Sequence, residues 1–391
     1  MRHRVTTALA ALCCVLATGS CIKPELHLTG QEVYTHWPEV HTDLRIIWNA
    51  DADWEKDWYY GWDAEDQRIW GDMGYPTPSS FQVRRYYTGF DASARHGDTD
   101  AFSVRTNSFR RFFSFGYYDI LVWSDIESAD GAQVLLIDEQ PDEVTATTTG
   151  TRGMSLMATK IEDSQVMEQP PGVVGLRNQP EIFYAAYPED IYISPTLEDF
   201  QYDPGEDMYI RRIQTRLQPL VYIYLVQIIL KNNDGRIQGI NGQAAMSSMA
   251  GGTSLNTGHT NNQPSVIYFN TRLKRDKSVN GIPCDIVGGK FTTFGLCDME
   301  PATRAGSAYT GTRGSLNNLL FFDLLFNNGV VKTYSADVTA QCQSQAHGGI
   351  ITVMIDCQNL ELPGENNENG AGSLFLPTIE DYEDVFWEIE M

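Results

Sequence analysis

The residues best suited to chemistry lie between Asp51 and Tyr75. This stretch holds Trp54, Trp58, Tyr59, Tyr60, Trp62, Trp70 and Tyr75, interleaved with Asp51, Asp53, Glu55, Asp57, Asp63, Glu65, Asp66 and Asp72. Aromatic faces beside carboxylates suit sugar binding: a ring stacks on the C–H face while the acids accept hydroxyl hydrogen bonds. Trp54, Trp58, Tyr59, Tyr60, Trp62 and Trp70 are therefore read as a ligand or partner patch. The same large amphipathic side chains would also serve to cap the end of a β-sandwich.

Other chemistries find less support. Asp51, Asp53, Glu55 and Asp57 alternate like a calcium loop. However, Lys56 takes the position that needs Gly, and Trp62 the position that needs a bidentate acid. Paired carboxylates could serve a glycosidase, but nothing singles out one pair in so acidic a chain. There is no GxSxG elbow, and His259 and His347 sit in Gly/Asn-rich loops. Gly251-Gly252 and Gly288-Gly289 lack the GK[ST] context of a phosphate loop. No catalytic residue, metal or cofactor is expected.

Cys284, Cys297, Cys342 and Cys357 follow late in the chain. In an exported protein four cysteines allow three disulfide pairings. The spacing suggests Cys284–Cys297 and Cys342–Cys357 without deciding between pairings. A zinc site is disfavoured, because there is no CxxC and no His at ligand spacing.

The start of the chain reads as a lipoprotein signal. Arg2, His3 and Arg4 are basic, Val5–Ala17 is a short apolar run, and Thr18, Gly19 and Ser20 precede Cys21. The run is too short to span a bilayer. Acylation of Cys21 with cleavage before it would tether the remainder to a membrane face, and stable anchoring takes more than one acyl chain. Thr18 stands where such signals usually carry Leu. The alternative is an ordinary secretory signal cut nearby.

With 28 Lys and Arg against 51 Asp and Glu, the 391-residue chain has a net charge of −23. That excludes a nucleic-acid binder, which needs clustered cations for phosphate contacts. It also means that anionic headgroups would repel the chain, leaving lipid at Cys21 as the membrane attachment.

The elements that must position these residues read mostly as strands. Asp43–Trp48, Phe81–Tyr87, Ala101–Arg105, Tyr117–Trp123 and Gln133–Ile137 are rich in β-branched and aromatic residues between turn formers. Another strand pair lies between Ile182 and Ile193. Tyr222–Leu230 runs into Asn233-Asp-Gly235, a hairpin signal. Asn318–Phe326, Val330–Tyr334 and Gly349–Asp356 follow, and Gly239–Met249 could hold a short helix. Many short strands argue for sandwiches. The expected organisation is a signal at 1–20, a lipidated tether at 21–42, an N-terminal sandwich at 43–200, a C-terminal sandwich at 205–363 and an acidic tail at 364–391. The tail mixes acids with Phe386, Trp387 and Ile389. It reads either as a solvated end or as a segment that docks on a partner or on the first domain.

Three features together resemble the fimbrillin-type surface lipoproteins of Bacteroides, in the anchor and minor-subunit branch. They are Cys21–Leu26 followed by Asp43–Trp48; Phe115–Trp123; and Val221–Val226 with Ile237–Ile240, Ala244–Ala250 and Leu255–Gly258. The resemblance implies an all-β protein of two tandem transthyretin-like Greek-key β-sandwich domains, lipid-anchored in the outer membrane and exposed at the cell surface. It implies a non-enzymatic role in adhesion or pilus assembly, with other fimbrial subunits as partners through strand addition. In stalk subunits of that family an Arg-directed protease removes the lipidated piece. Here no Arg occurs between Cys21 and Leu44, and Arg45 lies inside the first expected strand. Retained lipid, as in an anchor, is the reading that follows. Arg152 and Arg177 are the more accessible candidates for proteolysis. A glycan-binding lipoprotein of a polysaccharide-uptake system, using the aromatic stretch, is the alternative.

Overall fold

The computed structural model describes residues 40–48, 58–90, 99–126, 135–140, 143–150, 175–300 and 316–360. The signal at 1–20, Cys21, Trp54, the Asp51–Asp57 alternation, Arg152 and the 364–391 tail lie outside these residues.

The chain is all-β, in two tandem units. The first contains β1 (Val40–Trp48), helix α1 (Ala64–Trp70), β2 (Phe81–Gly89), β3 (Thr99–Val104), β4 (Ser108–Phe112) and β5 (Gly116–Ser124). It continues through β6 (Leu135–Glu139), β7 (Val144–Thr148), β8 (Gly175–Arg177), β9 (Tyr184–Ala186), β10 (Ile191–Ile193), β11 (Gln201–Asp203) and β12 (Met208–Pro219). The second contains β13 (Tyr222–Lys231), β14 (Ile237–Ala250), β15 (Gly252–Ser254), β16 (Pro264–Val279) and β17 (Ile282–Thr293). It closes with β18 (Leu319–Phe326), β19 (Val331–Asp337), helix α2 (Thr339–Ser344) and β20 (Gly349–Asp356).

The first sheet runs β3-β2-β5-β9-β12-β1-β4, and the second β19-β18-β14-β16-β17-β13-β20. Each wraps around its own core. Leu44, Val83, Ile120, Val122 and Leu217 meet in the first; Val226, Ile228, Phe269, Phe291, Phe322 and Val353 meet in the second. Each sheet bends on one long strand. β12 pairs β1 along most of its length and reaches β9 with Gln218 and Pro219. β16 pairs β14 with its first half and β17 with its second.

β1 runs parallel to β12 toward the junction, and β20 runs parallel to β13 away from it. Val40 therefore sits at the far end of the first unit and Asp356 at the far end of the second.

Several expected features shift. The junction falls at Leu220 rather than at 200–205, because β12 is held by β1 and not by the second sheet. Residues 40–42, expected in the tether, belong to β1. Gly239–Met249 is strand, not helix: β14 is paired on both sides, by β16 and β18, and tertiary pairing overrides the helix propensity of Ala and Met. A bulge between Met246 and Met249 absorbs Ser248 at φ 59°. The Asn233-Asp-Gly235 turn joins strands of different layers, since β13 pairs β17 and β20. The Asn328-Gly329 turn does close a hairpin, β18 on β19. Arg177 is tied down in β8, where its guanidinium donates to Thr148 O at 2.7 Å.

The two units share backbone as well as side chains. β7 of the first pairs β15 of the second, and β8 pairs β16. Leu121, Trp123, Val144, Phe183, Leu255 and Phe294 form a third core between the units. This explains why β5 loses its alternation after Ile120. Tyr118, Ile120 and Val122 face the first core, whereas Leu121 and Trp123 face the second unit.

Candidate functional site

The described part of the aromatic stretch, Trp58 to Tyr75, crosses from the first unit onto the outer face of the second sheet. Its hinge is α1. Asp63 caps the helix by accepting from Glu65 N and Asp66 N, and Asp66 returns a bond to Asp63 N, a reciprocal capping box. A seven-residue helix is marginal alone. Its carboxylates give it a second attachment. Asp66 is fully buried, and its two oxygens receive Arg272 at 2.7 Å, Lys274 at 2.6 Å and the Tyr60 hydroxyl at 2.9 Å. Asp63 takes the same two cations, at 2.7 and 2.9 Å. The hydrogen bond from Lys274 holds the Asp63 carboxyl well below the usual carboxylate range.

Tyr60 is the centre of this clamp. Its ring is fully buried, 5.3 Å from Trp58 and 6.4 Å from Trp70, with the Lys274 ammonium 4.0 Å from its centroid. Burial first, then the bond to Asp66, pushes its hydroxyl far above the ordinary phenol range. Gly288 of β17 makes the fit, because a Cβ there would lie 2.5 Å from the Tyr60 ring. A Cβ on Gly289, its neighbour, would lie 2.8 Å from Phe269 in the core. The glycine pair thus admits one ring from each side of the sheet.

Around this centre, Tyr59 N donates to Gln227 at 2.9 Å and Trp70 Nε1 to Asn270 O at 3.1 Å. Trp58, Trp62, Met73 and Tyr75 cover Ile223, Leu225 and Ile350. β13 is therefore buried on both faces, which is why it reads as one near-continuous apolar run.

Beside the clamp lies an open cleft of about 950 Å³ between the units. Its walls include Gln67, Arg68 and Trp70 on one side, and Pro76, Asp125 and Glu181 on the other. Lys290 reaches it from β17. Lys290 is 8% exposed, and its ammonium donates to the backbone carbonyls of Trp70, at 3.4 Å, and Asp72. Burial lowers its pKa to about 8, with Asp72 opposing.

The structure thus divides the expected patch. Tyr60 is wholly buried and Trp58 and Tyr59 pack in the interface, while half-buried Trp70 lines the cleft and Trp62 stacks 5.3 Å from it. Arg272, Lys274, Lys290 and Gly288 were not legible as parts of this site. Only the Asp63/Asp66 spacing, a capping-box signature, gave a local signal.

The cysteines correct the sequence reading. Cys284, Cys297, Cys342 and Cys357 are buried thiols rather than disulfide halves. Cys284 packs in the cluster around Tyr60 and Cys297 in the core between the units, so the pair suggested by spacing faces different cores. Cys342 and Cys357 share the second core; burial pushes the Cys357 thiol up to about 12. His259 lies 3.3 Å from Asp298, and His347 bonds Glu300 O at 3.1 Å. Among the described residues no His, Cys, Asp and Glu group could hold a metal. No described helix is long and apolar enough to cross a membrane.

No family model and no curated protein matches the chain. Among solved structures it is similar to a candidate adhesin from Bacteroides ovatus, at 13% identity over 85% of this chain and 93% of that one, with a TM-score of 0.44. It is similar to the fimbrial anchor protein Mfa2 from Porphyromonas gingivalis, at 12% identity over 81% and 90%, with a TM-score of 0.35. A candidate polysaccharide-binding protein from Bacteroides thetaiotaomicron matches at 7% identity over 81% and 92%, with a TM-score of 0.39. At these scores the matches record similarity only.

Proposed function

We propose that this chain is a cell-surface subunit of a fimbrial or adhesive assembly, held by lipid at Cys21 and joined to partner subunits by strand pairing. The observation that carries this reading is the unequal finish of the first sheet. Among the described residues it ends in two edge strands, β3 and β4, each paired on one side only. A strand paired on one side presents backbone donors and acceptors to an incoming strand; this holds along β3, whereas on β4 the Ser108 and Phe112 carbonyls already accept from Thr106 and Arg85. Phe112 on β4 is 48% exposed, ready for a partner's side chain. The clamp between the units supports the same role, since a subunit that carries load must not hinge at its middle. Arg45 lies within β1, flanked by β4 and β12, so cleavage there would remove a central strand. That favours retention of the lipidated segment, as in an anchor or accessory subunit.

The test is isolation from native membranes through a tag placed between Asn366 and Gly370. Recovery with another β-sandwich protein, and with acyl groups still on Cys21, is the expected result. Recovery alone, or with an outer-membrane transporter, would overturn the reading.

A second reading rests on the cleft, where Trp70 stands beside Gln67, Asp125 and Glu181. These are groups that could hold a sugar by stacking and hydrogen bonding. A glycan binder would bind sugar without a protein partner and lose it on Trp70→Ala.

A further inference from the structure

The end strand β20 presents the opposite case to β3 and β4. It pairs β13 on one side only, yet its outward backbone groups at Ile350 and Thr352 are already taken. Gln345 Oε1 accepts from Ile350 N at 2.7 Å, and Gln345 Nε2 donates to Ile350 O at 3.0 Å. Gln341 repeats the pattern at Thr352, with both bonds at 2.8 Å. Two side-chain amides thus imitate the backbone of a neighbouring strand.

The spacing explains the fit. Residues four apart in a helix rise ~6 Å, and residues two apart in a strand are separated by ~6.6 Å. Gln341 on α2 and Gln345 at its C-cap, four residues apart, therefore meet alternate residues of β20. Their helix is fastened from behind, with Val338, Cys342 and Ala346 in the second core. The return of the chain needs two glycines. Gly348 has φ +97° and lies against the Ile223 backbone, and a Cβ on Gly349 would collide with the Gln345 amide.

We propose that α2 is an edge lock: Gln341 and Gln345 occupy the strand-accepting groups of β20 and bar a second copy of this chain from pairing there. The lock is a property of this chain alone and does not depend on the adhesive reading.

The test is Gln341→Ala combined with Gln345→Ala. Near-ultraviolet circular dichroism establishes that the variant is folded. Hydrogen exchange is then followed at Ile350 and Thr352, and sedimentation across a concentration series. The expected result is exchange on the order of tenfold faster at those amides, with concentration-dependent dimers cross-linked through β20. Gly349→Ala is the second variant, since it evicts the Gln345 amide and leaves both glutamines in place. It should expose Ile350 and give the same dimer more weakly. A folded variant with unchanged exchange would overturn the proposal. So would one that loses protection yet stays monomeric, or one that dimerises elsewhere.

Discussion

The two units follow one plan and are finished differently. Each wraps a sheet around a core by means of one long strand, and each pairs an end-to-end parallel couple, β1 with β12 and β13 with β20. In the second unit that couple is covered on its outer face and along the first half of its edge. Trp58, Tyr60 and Trp70 from the first unit lie over its outer face, and α2 closes its edge. In the first unit the end strand β3 is paired on one side only, while β4 is partly covered, its Ser108 and Phe112 carbonyls accepting from Thr106 and Arg85. The difference lies in how single edges are finished: α2 occupies backbone groups of β20, whereas β3 in the first unit and β19 in the second are each paired on one side only among the described residues.

The sharpest way to break this asymmetry is to remove Asp66. Asp66→Ala leaves Arg272 and Lys274 facing each other in the interface without their shared buried carboxylate. We expect a loss of about 3–5 kcal/mol in chemical denaturation, or the two units melting separately. Asp63→Ala should do far less, because Asp63 is half-exposed and water can replace it. Equal losses at the two positions would mean that burial of the carboxylate is not what closes the clamp.

Gly288→Ala should come next. Its Cβ would press on the Tyr60 ring, and overpacking of this kind costs about 1–3 kcal/mol. In combination with Tyr60→Ala the penalty should shrink, since the two sites touch. A penalty that persists in the double variant would place the strain elsewhere.

An effect of similar size is expected from pH. Lys290 has a folded pKa of about 8 against an ordinary 10.5. Below pH 8 both states hold the proton, and the folded state bears the penalty of a buried ammonium. Between pH 8 and 10.5 the folded state releases it first, the unfolded state binds more protons, and stability rises with pH. The full gain is on the order of 3 kcal/mol. Lys290→Met should remove this slope, read as the difference between the two denaturation midpoints from pH 7 to 10. Identical slopes would contradict a buried, charged Lys290.

The smallest effect on stability should come from Trp62→Ala, since this half-buried ring is one of several that cover Ile223, Leu225 and Ile350 and also meets Trp70. It is also the informative control for the cleft. Loss of sugar binding with little loss of stability would move the glycan reading forward.

The all-β plan was legible because its signals are local. Period-2 runs such as Phe81–Tyr87, and the unbroken run Tyr222–Leu230, mark strands wherever they pair. The junction was not legible, because whether β12 belongs to the first or second sheet depends on a partner about 170 residues earlier in sequence. The aromatic stretch was visible as a cluster, but composition could not say which rings turn inward. That is decided by Gly288, Arg272 and Lys274, more than 200 residues away. The glutamines of α2 carried no signal at all, since an amide pair imitating a strand depends on where the chain returns.

The central claim is that partners meet the first unit's edges and not the sealed edge of the second. It is tested most directly by placing a photo-cross-linking residue at Ser103 on β3, at Phe112 on β4 and at Ser344 on α2, then irradiating native membranes. We predict adducts to a β-sandwich protein from Ser103 or Phe112 and none from Ser344. Adducts from Ser344, with Ser103 and Phe112 silent, would contradict the account.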